Sequence, residues 1–153
     1  MALDDDIAFF TSHRLLGAME HEALRLVAFS ADRRSYRAGD ELARQGLPAL
    51  SSFLIVSGSL ALNEHDDGRP ASVVLGPGAL VGELALFADT THPATVMARE
   101  PSTVLVIRRE VVTRVLNEFP GSAAAIHLAI SEKLRDFSIA TTSVKDALER
   151  IGG

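Results

Sequence analysis

The residues best equipped for chemistry lie in Val81-Gly82-Glu83-Leu84-Ala85-Leu86-Phe87, and the chemistry is recognition of an anion that carries hydroxyls. Gly78 and Gly82 allow the main chain to turn tightly and to approach a ligand closely. Glu83 to Phe87 is long enough for one or two helical turns, whose first N–H groups lack partners and carry partial positive charge. Glu83 places a carboxylate beside those amides. A carboxylate only accepts hydrogen bonds, so a sugar hydroxyl is its natural partner, while an acidic residue in a first turn also serves as a plain cap. Amides for an anion and a carboxylate for a hydroxyl together describe a ribose phosphate.

The elements that must hold this stretch follow from hydrophobic periodicity. Ile7, Phe10, Leu15, Leu16, Leu24, Val27 and Ala28 recur at near-helical spacing, broken around Gly17, so residues 1–29 read as helical. Residues 30–109 change texture, with short β-branched runs between Gly, Pro and Asp. The clearest strands are Phe53–Val56, Leu60–Asn63, Ser72–Leu75, Ala94–Ala98 and Thr103–Ile107. Ser57-Gly58, Asp66-Asp67-Gly68, Gly76-Pro77-Gly78 and Glu100-Pro101 mark the turns between them. Helix returns over residues 110–151, with Glu110–Glu118 stopping before Pro120 and a long segment starting at Gly121 or Ser122. The expected fold is a single domain over 1–153, mainly β with flanking helices. Its centre is a jelly-roll-like antiparallel β-roll (a double-stranded β-helix) between N-terminal helices and a long C-terminal helix.

Gly82-Glu83-Leu84-Ala85-Leu86, followed six residues later by His92 and then Ala94-Thr95, resembles the phosphate-binding cassette of cyclic nucleotide-binding domains. The resemblance extends to the catabolite activator family and to the regulatory subunits of cyclic AMP-dependent kinase. Tyr36-Arg37-Ala38-Gly39-Asp40, Val56-Ser57-Gly58-Ser59-Leu60, Asp67-Gly68-Arg69, Leu75-Gly76-Pro77-Gly78 and Val104 to Glu110 match around it, so the likeness runs from about Leu15 to the C-terminal helix. It implies that the backbone of Gly82, Leu84 and Ala85 surrounds a cyclic nucleotide and that Glu83 holds the ribose 2′-hydroxyl. Ala94 and Thr95 would begin the strand behind the phosphate. The position of the family's phosphate-gripping arginine is His92, read either as an exposed loop residue or as a pH-tuned phosphate contact. Pro93 has no N–H where the family donates one. Charge-assisted hydrogen bonds contribute roughly 1.5–3 kcal/mol each, so two lost contacts would weaken binding by about two to four orders of magnitude. At the positions that help read adenine stand Phe137 and Ser138, and Phe137 either stacks on a purine or packs in a helix seam.

Ile130, Leu134, Phe137, Thr141, Val144, Leu148 and Ile151 step by alternating fours and threes, a heptad seam that predicts a homodimer through the C-terminal helix. The competing reading packs that stripe on its own roll. Composition narrows the rest. The 153 residues carry a net charge of −5 with scattered arginines, which argues against direct nucleic-acid binding. Cysteine is absent, excluding disulfides and zinc–thiolate sites, and no run approaches the roughly 20 apolar residues of a membrane helix. The acidic Met1 to Asp6 is unlike a secretory signal, so the expected location is cytoplasmic. The five histidines form no His-x-His pair, Asp66-Asp67 reads as a solvated turn, and no nucleophile elbow or zincin motif occurs. Neither a metal, a cofactor nor catalysis is expected. Two functions stand against each other: a cyclic nucleotide sensor, for cyclic AMP or cyclic GMP, that signals through the C-terminal helix, and a degenerate fold that dimerises without nucleotide.

Overall fold

The computed structural model describes residues 7–8, 10–64 and 73–132. Helical residues 7–8 and 10–11 (α1) lead through a 3-10 turn, Leu16–Ala18, into helix α2, His21–Ser30. Eight strands follow: β1 Asp32–Tyr36, β2 Glu41–Ala43, β3 Ser51–Ser57, β4 Leu60–Asn63, β5 Val73–Leu75, β6 Leu80–Val81, β7 Thr95–Ala98 and β8 Ser102–Arg108. Helix α3 is Arg109–Glu118, and residues 120–132 form α4. Two antiparallel four-stranded sheets result, one in the order β1-β8-β3-β6 and the other β2-β7-β4-β5. This is the expected mainly β roll with flanking helices.

The first sheet is a wall with two apolar faces. Along β3 and β8, Leu54, Leu105 and Ile107 turn to the helices, where they meet Phe10, Leu15, Leu24, Val27, Val112, Val115 and Ile126. The alternate residues Phe53, Ile55, Val104 and Val106 turn into the roll and meet Leu60, Val81, Val96 and Ala98. A strand dry on both sides must be apolar at nearly every position, as Phe53-Leu54-Ile55-Val56 and Val104-Leu105-Val106-Ile107 are. Removing Leu54, which is fully buried, would cost about 2–5 kcal/mol from lost transfer energy and the cavity left behind. The seven residues picked out at helical spacing before Ser30, from Ile7 to Ala28, are all buried.

Three expectations shift in detail. The predicted one or two helical turns after Gly82 are a single 3-10 turn, Glu83–Leu86, because the chain leaves a left-handed Gly82 and has only four residues before the break at Phe87. Helix α4 starts at Pro120, one residue earlier than predicted, since a proline at a first helical position gives up only an N–H that would have no partner. Strands β1, β2 and β6 are additional. The Asp66-Asp67 turn, Ser138 and the seam residues Leu134, Phe137, Thr141, Val144, Leu148 and Ile151 lie outside the described residues. Ile130 packs against the core cluster of its own chain.

Candidate ligand-binding site

The site is built where β6 ends. Val81 still belongs to the roll interior, and Gly82 then takes φ +79°, a conformation that side chains with a Cβ rarely adopt, and turns the chain out of the sheet. Ala85 donates its N–H to the Gly82 carbonyl at 3.0 Å, closing the turn. Ala85 and Leu86 are buried, and Leu84, Leu86 and Phe87 pack on the helix-side cluster together with Ile126, Ala129 and Ile130 of α4. The turn is therefore anchored on the side of the helices and free on the side of the roll. A cavity of about 430 Å³ between Leu86–Asp89 and α3–α4 lies on the helix side, away from the roll interior.

The roll interior is apolar and opens at one edge. Across the second sheet Val96, Leu62 and Val73 stand directly opposite one another on the inner face. Exposure rises along that row from 2% at Val96 to 43% at Val73, so the interior meets solvent at the β5 edge. The turn Gly76–Ala79 joins that edge to β6 and thus to Gly82. An apolar body such as a nucleobase has an apolar floor there, beside the amides that Glu83–Leu86 begins with.

Glu83 is half-buried. One of its carboxylate oxygens takes the N–H of Leu16 at 3.4 Å, a long contact that leaves the other oxygen with its acceptor capacity. His13 donates a ring N–H to the Gly78 carbonyl at 2.8 Å, so the N-terminal segment touches the site on both sides of β6.

The segment 88–94 is held as a short ladder against residues 46–49. Ala49 donates to Thr90 at 2.9 Å, His92 to Leu47 at 2.9 Å and Gly46 to His92 at 2.9 Å. This ladder consumes both main-chain groups of His92. Its ring is half-buried and lines a cavity of about 270 Å³ with Glu41, Leu42, Ala43, Arg44, Leu47 and Pro48. Burial lowers its pKa below the ordinary 6.5, because desolvation disfavours the charged ring. Ala94 is buried, and the Thr95 hydroxyl accepts the Gln45 N–H at 3.1 Å, on the face of β7 shared with the exposed Met97. Thr95 thus braces the neighbouring loop, leaving its main chain as the part nearest the roll.

One residue of the arrangement escaped sequence reasoning. Arg109, the first residue of α3, donates from Nε to the Ala85 carbonyl at 2.9 Å and from a terminal nitrogen to the Ala49 carbonyl at 2.7 Å. Its other terminal nitrogen pairs with the Asp89 carboxylate. A single guanidinium therefore ties the turn, the 46–49 segment and the 88–94 segment to α3. Its signals in sequence were a basic residue at a strand–helix junction and a place in the matching stretch Val104 to Glu110, neither of which names a partner. Among the described residues, no group of three or more His, Asp or Glu is placed to hold a metal ion, and no helix is long and apolar enough to cross a membrane.

Comparison with known proteins agrees with this geometry. Residues 33–119 match the family model "Cyclic nucleotide-binding domain". A cyclic nucleotide-binding-like protein of Brucella abortus has a solved structure that superposes with a TM-score of 0.69 at 40% identity, covering 74% of this chain and 99% of that one. The acetyltransferase Pat of Mycolicibacterium smegmatis is 36% identical over 116 residues, which are 75% of this chain and 33% of that enzyme. The cyclic AMP receptor protein of Thermus thermophilus is 26% identical over 90% of this chain and 65% of its own length. The chain thus spans about a third of the first of these two curated relatives and just under two thirds of the second. With the roll, the left-handed Gly82 and the turn behind it in place, the chain belongs to the cyclic nucleotide-binding domain family.

Proposed function

We propose that this chain is a regulatory sensor that binds a cyclic nucleotide in the roll and passes the event to its C-terminal helix. The observation that carries the reading is the Gly82–Leu86 turn at the edge of an apolar interior that opens on the β5 side. A base would lie on the apolar floor, the cyclic phosphate would meet the amides that start the turn, and the 2′-hydroxyl would go to the free oxygen of Glu83. Leu84, Leu86 and Phe87 share one packed cluster with Ile126, Ala129 and Ile130. A shift of the turn on binding therefore presses directly on α4, and a helical homodimer would transmit it. Ligand selects whichever seating of turn and helix it contacts better.

A second reading, a dimerising module without nucleotide, is favoured by the cassette itself: burial lowers the His92 pKa and so disfavours its charged ring, and Pro93 beside it has no N–H to give. Thermal denaturation with cyclic AMP, cyclic GMP and a cyclic dinucleotide separates the two. A sensor at ligand concentrations near 100 Kd gains about 2.7 kcal/mol, or roughly 5–10 °C for a domain of this size. No shift with any of the three at millimolar concentration refutes the sensor.

A further inference from the structure

The described residues contain three buried serines, and two of them are satisfied. Ser102 bonds to the Ser59 N–H and to the Glu100 and Ser59 carbonyls, and Ser122 accepts the Glu20 N–H at 2.8 Å. Ser52, with 0% exposure, has a hydroxyl with no partner. Buried hydroxyls in folded proteins are nearly always paired, and one that is not carries an uncompensated desolvation cost.

Its position relates it to the site. Ser52 stands opposite Ile107 in the β3–β8 pair, on the face that turns to the helices. The β3–β6 register runs Leu54 to Leu80 and Phe53 to Val81, and one further step sets Ser52 across from Gly82. A Cβ on Gly82 would lie 3.9 Å from the Ser52 Cβ. The orphan hydroxyl therefore sits behind the turn, on the side opposite the roll interior. In a planar trans peptide the N–H and C=O point in opposite directions. In this seating the Gly82 and Leu84 carbonyls accept the Ala85, Phe87 and Ala88 N–H groups and the Ala85 carbonyl accepts Arg109, so none of these reaches Ser52 unless the turn shifts.

We propose that Ser52 is a positioning residue for ligand binding: in a second seating of the Gly82–Leu86 turn, its hydroxyl donates to a turn carbonyl and so holds the turn's amides towards an anion in the roll. The inference rests on the sensor reading above and adds a residue that does not touch the ligand. It links a cost in one seating to a gain in the other, so a single substitution moves stability and affinity in opposite directions.

The test is Ser52→Ala in the full chain, with cyclic AMP as the probe in calorimetry and amide relaxation dispersion over Gly82–Phe87 as a readout that needs no ligand. The expected result is a melting temperature about 2–4 °C higher without ligand, a Kd for cyclic AMP about three- to tenfold weaker, and loss of microsecond-to-millisecond exchange present in the wild type. An unchanged Kd overturns the proposal, as does a lower melting temperature, which would mean that the hydroxyl already had a partner. If the wild type binds no cyclic AMP, the sensor reading fails separately and Ser52 is judged on exchange alone. Exchange that Ser52→Ala abolishes then supports the proposal, and exchange that is absent or unaltered overturns it.

Discussion

Arg109→Met removes one guanidinium and keeps most of the aliphatic stem, so it isolates what the three contacts of that group contribute. The contacts are unequal. Asp89 is 97% exposed, and an ion pair to a solvated carboxylate contributes at most about 1 kcal/mol. The carbonyls of Ala49 and Ala85 belong to residues that are each 2% exposed, and both lose a charge-assisted donor. Leaving two such acceptors without a partner costs about 1–3 kcal/mol each, and partial entry of water lowers the sum to about 2–4 kcal/mol. At roughly 2–4 °C per kcal/mol, Arg109→Met lowers the melting temperature by about 4–16 °C, while Asp89→Ala lowers it by less than about 4 °C. Differential scanning calorimetry on both variants gives the comparison, and hydrogen exchange should show the 88–94 segment opening in Arg109→Met alone. If the two substitutions cost the same, the guanidinium acts through the surface ion pair and the tie between turn, ladder and α3 is wrong.

His92→Arg supplies a permanent charge and a forked donor beside the cassette, and should tighten cyclic nucleotide binding by about 10- to 100-fold in calorimetry; no gain would show that the phosphate does not reach that position. His92 also sets a pH dependence. Its folded pKa lies below 6.5, so the unfolded chain takes up this proton first as pH falls, and stability drops from about pH 6.5 downward. His92→Gln should flatten that part of a melting curve series between pH 7.5 and 5, and an identical slope in both proteins would remove His92 from the account. Cyclic nucleotide affinity should rise over the same fall in pH if the ring meets phosphate, since only the charged ring attracts it; constant affinity argues for a ring that does not touch ligand. Gly82→Ala finds ordinary van der Waals space, with the nearest atom 3.8 Å away, so its cost is the left-handed φ alone, about 1–2 kcal/mol. Calorimetric unfolding should show a loss of about 2–8 °C, and a neutral result would mean the turn re-forms with negative φ.

The roll was legible because its central strands are apolar on both faces and its turns are spelled in Gly, Pro and Asp. Leu60–Asn63 coincides with β4, and the predicted Phe53–Val56 and Thr103–Ile107 lie inside β3 and β8. What escaped is what depends on neighbours. Asp32-Arg33-Arg34-Ser35-Tyr36 has no apolar alternation to announce a strand; it is an edge strand, paired to β8 and helped by an ion pair of Arg108 with Asp32 at 3.1 Å. Two-residue β6 exists only through its register with β3. At the site, the glycine hinge and the carboxylate at 83 were readable from residue type. The ladder that occupies the main chain of His92, the Arg109 tie and the unpaired Ser52 are long-range facts, between residues 20 to 60 positions apart or set by burial, that no local pattern encodes.

The sheet formed by β1, β8, β3 and β6 stands between two apolar clusters and is itself one residue thick. Along β3 and β8 side chains are packed on both faces, so a displacement of those strands from one side reaches the residues on the other. A ligand that displaced β3 or β8 from the roll side would therefore be felt by Leu54, Leu105 and Ile107 among the helices. Phe53 and Leu54, adjacent in sequence, belong to opposite clusters, so one peptide unit links the roll interior to the helix side.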